Sequence, residues 1–139
     1  NGGLRILGSD VNTDVLESAI QGCYTEKLLS PIPDSFRRRY FSSESEKPNS
    51  NNQIKTEIQR LIQFRQFNLM SAEYPIATKF QLIFCRNVLY YLQPERREFL
   101  IRKLVDHLEE GGWLVLGITE SGYSIDKMEK HSISIYQKT

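Results

Sequence analysis

A mostly parallel α/β sheet flanked by helices is the fold this sequence predicts, and three observations carry that reading. The apolar run Phe80-Gln81-Leu82-Ile83-Phe84 breaks abruptly into Cys85-Arg86-Asn87. A buried central strand does this when it delivers polar groups to a site beyond its carboxyl end. An amphipathic segment then places Phe99, Leu100, Leu104, Val105 and Leu108 on one helical face, and Trp113–Ile118 follows at once as a second apolar run. Strand, helix and strand in that order imply a right-handed crossover between parallel neighbours. With 139 residues, 40% of them hydrophobic, the chain is long enough for one globular domain and its core.

Taken in order, Leu4–Asp10 is short, aliphatic and ends in an acid, so it reads as a strand, with Asn12 or Thr13 as the cap of the next helix. Val15, Leu16, Ala19 and Ile20 recur with helical spacing until Gly22, a residue suited to the left-handed position that ends many helices. Cys23–Phe41, with Pro31, Pro33 and the run Phe36-Arg37-Arg38-Arg39-Tyr40-Phe41, predicts short helices and turns. Its aromatic and basic character could meet an acidic partner, or present a solvated helix face with the rings tucked inward. Ser42–Asn52 contains no hydrophobic residue and predicts a mobile surface loop, because too little surface is available to offset the entropy of ordering. Ile54–Phe67 fits helix and strand periodicity equally. Phe80–Cys85 is a strand, and Pro94 sits where a first helical turn tolerates it, opening the helix Glu95–Leu108. Glu109-Glu110-Gly111-Gly112 should stop that helix before the strand Trp113–Ile118, and Ser132–Gln137 alternates as a final strand does.

Composition narrows the function classes. Eighteen Lys and Arg against seventeen Asp and Glu leave a net charge of +1, with no long basic block to lie along a phosphate backbone, so nucleic acid is not expected as a partner. No apolar run approaches the roughly 20 residues that a membrane span requires, so membrane insertion is not expected either. Cys23 and Cys85 lie far apart in segments of regular structure, which suggests a reducing, cytoplasmic setting. His107 and His131 have no obvious acid or nucleophile partner, so no metal site is expected. Gly2-Gly3 and Gly111-Gly112 both lack the strand, loop and helix context of a nucleotide-binding glycine motif.

Two constellations carry chemistry. Asp10, at a strand end, offers two carboxylate oxygens to the vicinal diol of a ribose; the alternative is a turn or helix-capping role, for which Asn12 and Asp14 compete. Arg86 and Asn87 follow a buried strand, where a guanidinium is costly to desolvate unless acceptors meet it. Something acidic is therefore expected near Arg86, either a ligand or an internal partner such as Asp10 or Glu120. Of Tyr90 and Tyr91, one should pack and the other present its hydroxyl to the site.

Cys85-Arg86-Asn87-Val88-Leu89-Tyr90-Tyr91-Leu92, the helix Glu95–Leu108 and Gly111-Gly112-Trp113-Leu114-Val115-Leu116-Gly117-Ile118-Thr119-Glu120-Ser121 together resemble the chemotaxis-receptor glutamate methyltransferases, the CheR family. Gly8–Leu16, Gly22-Cys23-Tyr24, Arg39-Tyr40-Phe41 and Phe67-Asn68-Leu69 fall in that family's order, so the resemblance spans nearly the whole chain. It implies a Rossmann-like methyltransferase sheet and S-adenosylmethionine as cofactor. Asp10 would hold the ribose hydroxyls, Asn68 and Leu69 would lie near the adenine, and Arg86 and Asn87 would line the pocket near the methionine end. Tyr91 would face the transferred methyl, with Arg86 beside it orienting the acceptor carboxylate. Ser42–Gln66 stands where the family inserts a small β subdomain that, in some members, docks a receptor tail. The methyl acceptor would be a receptor or another signalling protein.

The family also carries, ahead of the strand equivalent to Leu4–Asp10, a helical domain, a first strand with a glycine-rich cofactor loop and a catalytic arginine. These residues are not in the sequence, so the expectation is the C-terminal part of one methyltransferase domain, inactive or nearly so alone. Its exposed strand edges would pair directly or across a homo-oligomer. Two other functions compete: a non-catalytic interaction module or degenerate paralogue, and a methyltransferase acting on a small molecule.

Overall fold

The computed structural model describes residues 3–43, 51–120 and 122–139. These fall into two compact units, Asn1–Asn68 and Leu69–Thr139. Gly2, residues 44–50 of the expected loop and Ser121 of the glycine-rich motif lie outside the described residues.

In the first unit, strand β1 (Ile6–Asp10) leads into helix α1 (Thr13–Gln21). The expected caps are both in place. The Asn12 side-chain oxygen accepts from the backbone N–H groups of Asp14 and Val15, and Gly22 ends the helix at φ 64°. Cys23–Thr25 is a short strand, β2, where turns were expected, followed by helices α2 (Glu26–Leu29) and α3 (Asp34–Tyr40). Arg37 of α3 pairs with Glu26 of α2, so one arginine of the basic run is used within the fold. Strands β3 (Phe41–Ser43) and β4 (Asn51–Ile54) complete a three-stranded antiparallel sheet in the order β2-β4-β3. Both ends of the expected loop Ser42–Asn52 are thus strand. Cross-strand backbone hydrogen bonding compensates there for missing apolar surface, and Asn52 is buried with its amide donating to Glu26. The small sheet begins at Cys23, well ahead of Ser42. Ile54–Phe67 resolves into a single helical turn, α4 (Thr56–Gln59), and a strand, β5 (Ile62–Gln66), which pairs with β1 in parallel from Ile6–Ile62 to Asp10–Gln66. The span Ser42–Gln66 therefore divides between two sheets.

In the second unit, β6 (Phe80–Cys85) occupies the expected residues and lies parallel to β7 (Leu108–Leu116). It stands at the end of its sheet among the described residues, with Leu82 and Phe84 exposed, so the expectation of a buried central strand is corrected: only one edge is paired and only Cys85 is buried. Helix α5 (Pro94–Asp106) connects them with Pro94 in its first turn, and it buries Leu100, Ile101, Leu104 and Val105 against the sheet. Phe99, expected on that face, is exposed, and Ile101 takes its place. The helix ends at Asp106, before the glycines, and β7 runs through Gly111 and Gly112. A side chain at Gly112 would clash with the carbonyls of Glu109 and Phe80, so glycine is needed for the close approach of β6. The final alternating segment is split between β8 (Met128–Ser132) and β9 (Ile135–Lys138), a hairpin that turns at Ile133 and Ser134. The sheet order is β6-β7-β9-β8, with the last two strands antiparallel.

The core of this unit lies under α5: Cys85, Leu89, Leu100, Leu104, Leu108, Leu114, Leu116 and Tyr136 are all buried. Burying such side chains contributes about 1.5–3 kcal/mol each before entropy is counted. Lys138 is also buried, at 8% exposure, with its ammonium donating to the carbonyls of Val105 and Leu108 at 3.1 and 3.0 Å and facing Glu110 at 3.3 Å. It satisfies carbonyls where α5 gives way to β7.

Candidate functional site

In parallel sheets the polar groups that meet ligands stand at the carboxyl ends of strands, and both units place their expected site residues there. In the first, Asp10 ends β1 and Asn68 follows β5, two parallel neighbours. Asp10 uses one oxygen, Oδ1, to accept from the Asn12 N–H at 2.9 Å. The helix cap belongs to Asn12, and Asp10 closes the turn that leads into it. A carboxylate has a second oxygen, and Asp10 keeps acceptor capacity for a diol. Gln66 tightens this end by donating from Nε2 to the Val11 carbonyl at 3.0 Å.

In the second unit Cys85, the last residue of β6, is buried while Arg86 and Asn87 immediately after it are exposed. Burial, and secondarily the charge of Glu120, pushes the Cys85 thiol up to about 11. That makes it an inert core group rather than a nucleophile. Asn87 stands at φ 60°, a left-handed conformation that asparagine tolerates better than most residues. Leu89–Tyr91 forms a 3₁₀ turn whose Leu89 is fully buried. That anchor presents Tyr90 and Tyr91 outward at 70% and 81% exposure, edge to face with ring centres 5.6 Å apart. Neither ring is buried, so the expectation that one of the pair would pack inward is corrected. Leu69 belongs to this unit and packs against its core, whereas Asn68 closes the other.

The acid expected beside Arg86 is used elsewhere. Among the described residues Arg86 makes no ion pair, and Glu120, one of its two candidate partners, binds backbone instead. Glu120 is 3% exposed, in a 3₁₀ turn (Ile118–Glu120) after the end of β7. Its Oε2 accepts from the N–H of Asn87 at 2.7 Å and of Gly117 at 3.1 Å, and its Oε1 accepts from the N–H of Tyr90 at 3.1 Å. Three backbone donors replace the water a buried carboxylate loses.

Parallel strands, crossover helix and polar groups at the strand ends fit a Rossmann-like methyltransferase. The family model described as CheR methyltransferase, SAM binding domain, matches residues 1–136, and the chain belongs to that family. It is 28% identical over 97% of its length to a chemotaxis protein methyltransferase of Borreliella burgdorferi, of which it covers 47%. It is 31% identical to a probable chemotaxis protein methyltransferase of Rhizobium etli, with 97% of this chain and 51% of that protein covered. A chemotaxis protein methyltransferase of Vibrio parahaemolyticus is 34% identical over 85% of this chain and 42% of its own length. The chain thus spans about half the length of the curated relatives it matches. Membership indicates S-adenosylmethionine as the methyl donor. Among the described residues no helix is long and apolar enough to cross a membrane, and no cluster of His, Cys, Asp and Glu could hold a metal ion.

Proposed function

We propose that this chain is the cofactor-binding part of a cytoplasmic enzyme that methylates glutamate side chains of a chemotaxis receptor or a related signalling protein. The observation that carries the proposal is the end of β6, where an exposed arginine and an exposed tyrosine follow the buried Cys85 in a chain of this family. Asp10 would hold the ribose hydroxyls, Asn68 and Leu69 would flank the adenine, and Arg86 and Asn87 would receive the methionine end. Tyr91 would stand at the methyl. Both units would then belong to one domain, with the segment from Cys23 to Ile54 as its small β subdomain. The remainder of a protein twice this length would supply the first strand and glycine-rich loop.

When bound, the cofactor supplies an electrophilic methyl on a sulfonium. The acceptor glutamate, with an ordinary pKa near 4.3, is already ionised at neutral pH, so no general base is required of the protein. The task left to the chain is positioning and the exclusion of water. Holding two reactants in line is worth about 7–11 kcal/mol of barrier. The Arg86 guanidinium and the Tyr91 hydroxyl are the groups here suited to orient a carboxylate.

The test is titration of the longer protein and of this chain with S-adenosylhomocysteine, alongside methyl transfer to a receptor-derived peptide containing glutamate. The longer protein should bind and turn over, D10A and R86A should weaken binding, and the 139-residue chain should bind weakly and turn over little or not at all. A folded longer protein that neither binds nor transfers would overturn the proposal.

A further inference from the structure

The buried carboxylate of Glu120 joins two loops by hydrogen bonds. One follows β6 and carries Arg86, Asn87 and Tyr91; the other follows β7 and contains Glu120 itself. From this geometry we propose that Glu120 is a positioning residue, a backbone clamp that sets the conformation in which the first loop displays its functional side chains. The proposal rests on the reading of that loop as part of the cofactor site.

The clamp acts at two points. Oε2 holds the N–H of Asn87, the residue at φ 60°, and Oε1 holds the N–H of Tyr90 inside the 3₁₀ turn. Fixing Asn87 fixes the direction in which the chain leaves β6 after Arg86. Fixing Tyr90 fixes the turn that projects Tyr91. Neither bond involves a side chain of the displayed residues, so Arg86 and Tyr91 remain free to meet a ligand while their backbone is constrained. Gly117 completes the arrangement, because a Cβ there would lie 2.5 Å from Oε2 of Glu120 and 3.2 Å from the Asn87 nitrogen. Only glycine leaves room for the carboxylate to reach both partners.

Glutamine cannot replace this glutamate. Its amide has one acceptor and one donor end, so serving Asn87 and Gly117 with the oxygen sets an NH2 group against the N–H of Tyr90. E120Q should therefore release the Tyr90 side, E120A both sides, and G117A should displace the carboxylate without removing it.

The experiment has two parts. In the 15N-labelled chain, amide hydrogen exchange at Asn87 and Tyr90 is compared with that of α5. In the longer protein, S-adenosylhomocysteine affinity and the split between kcat and KM are measured. E120A should accelerate exchange at both loop amides by about tenfold or more with α5 still protected. E120Q should do so at Tyr90. Cofactor-product affinity should fall by about 10- to 100-fold, as misplacement of site groups by an ångström can cause. A folded E120A protein with unchanged loop amides would overturn the clamp. Freed amides with affinity and kcat kept within about twofold would overturn the positioning role. Should E120A not fold, G117A carries the same two readouts. If the wild-type protein itself does not bind S-adenosylhomocysteine, the methyltransferase reading fails and the amides alone decide the clamp.

Discussion

Replacing Cys85 with alanine should flatten the alkaline limb of the stability profile. The thiol lies in the core under α5 at 4% exposure, and its pKa is pushed from an ordinary 9.0 up to about 11, first by burial and then by the charge of Glu120. Well below pH 9 the thiol is protonated in both the folded and unfolded chain and adds no pH dependence. Between pH 9 and 11 the unfolded chain releases the proton while the folded chain keeps it, so stability falls as pH rises. At pH 10 the loss from this group is about 1.4 kcal/mol, and it approaches about 2.7 kcal/mol above pH 11. Tyr74 is pushed up to about 12, first by burial and then by Cys85, so its part begins above its ordinary 10.0. Urea unfolding at pH 8 and pH 10, followed by circular dichroism, separates the two. The C85A protein should begin less stable because a cavity is left, yet lose about 1.4 kcal/mol less between the two pH values than the wild type. Parallel losses would refute the reasoning, because they would mean that the thiol ionises as easily in the fold as outside it.

Three further outcomes are expected. K138M should lower stability by about 1.5–3 kcal/mol, since methionine fills the space but leaves the Val105 and Leu108 carbonyls unsatisfied; unchanged chemical denaturation would refute the capping role. N12A should cost about 1 kcal/mol, read by the same denaturation, because α1 loses the side chain that accepts from the N–H groups of Asp14 and Val15. At pH 8 a disulfide-exchange reagent should label exposed Cys23 in the native chain and reach Cys85 only with unfolding, so two equally fast thiols would contradict the burial of Cys85.

Where local chemistry dictates structure, the sequence was legible. β1, α1 with Asn12 and Gly22 at its ends, β6 and α5 each carry their own periodicity and caps, and each stands within a residue or two of its expected place. The small antiparallel sheet was not legible. Asn51-Asn52-Gln53 has no strand pattern of its own and is held by partners at Cys23–Thr25 and Phe41–Ser43, which only the folded chain brings together. The same limit hid the split of Ile54–Phe67, settled by parallel pairing to β1, and the hairpin inside the last alternating segment. At the candidate site the exposed side chains were readable because an apolar run that breaks into arginine and asparagine is unusual, whereas the burial expected of that run is found only at Cys85, with Leu82 and Phe84 exposed. Glu120 was named only as a possible partner for Arg86. Its real partners are backbone N–H groups, which every residue but proline carries, so no residue type in the sequence announces them.

The strand order β6-β7-β9-β8 bears on how this unit is made during synthesis. β8 leaves the ribosome before β9, yet in the sheet it lies outside it and has nothing to pair with until β9 has emerged. A nascent chain halted anywhere between Leu116 and Ile135 would hold α5 and two parallel strands with the β7 edge, Trp113 to Val115, open to any neighbouring polypeptide. Arrival of Ile135–Lys138 closes that edge, seats Tyr136 in the core and sets the Lys138 ammonium under the end of α5 in a single docking event. Completion of this unit is thus a late step, and chains cut short before it should be sticky substrates for chaperones and proteases rather than truncated but serviceable domains.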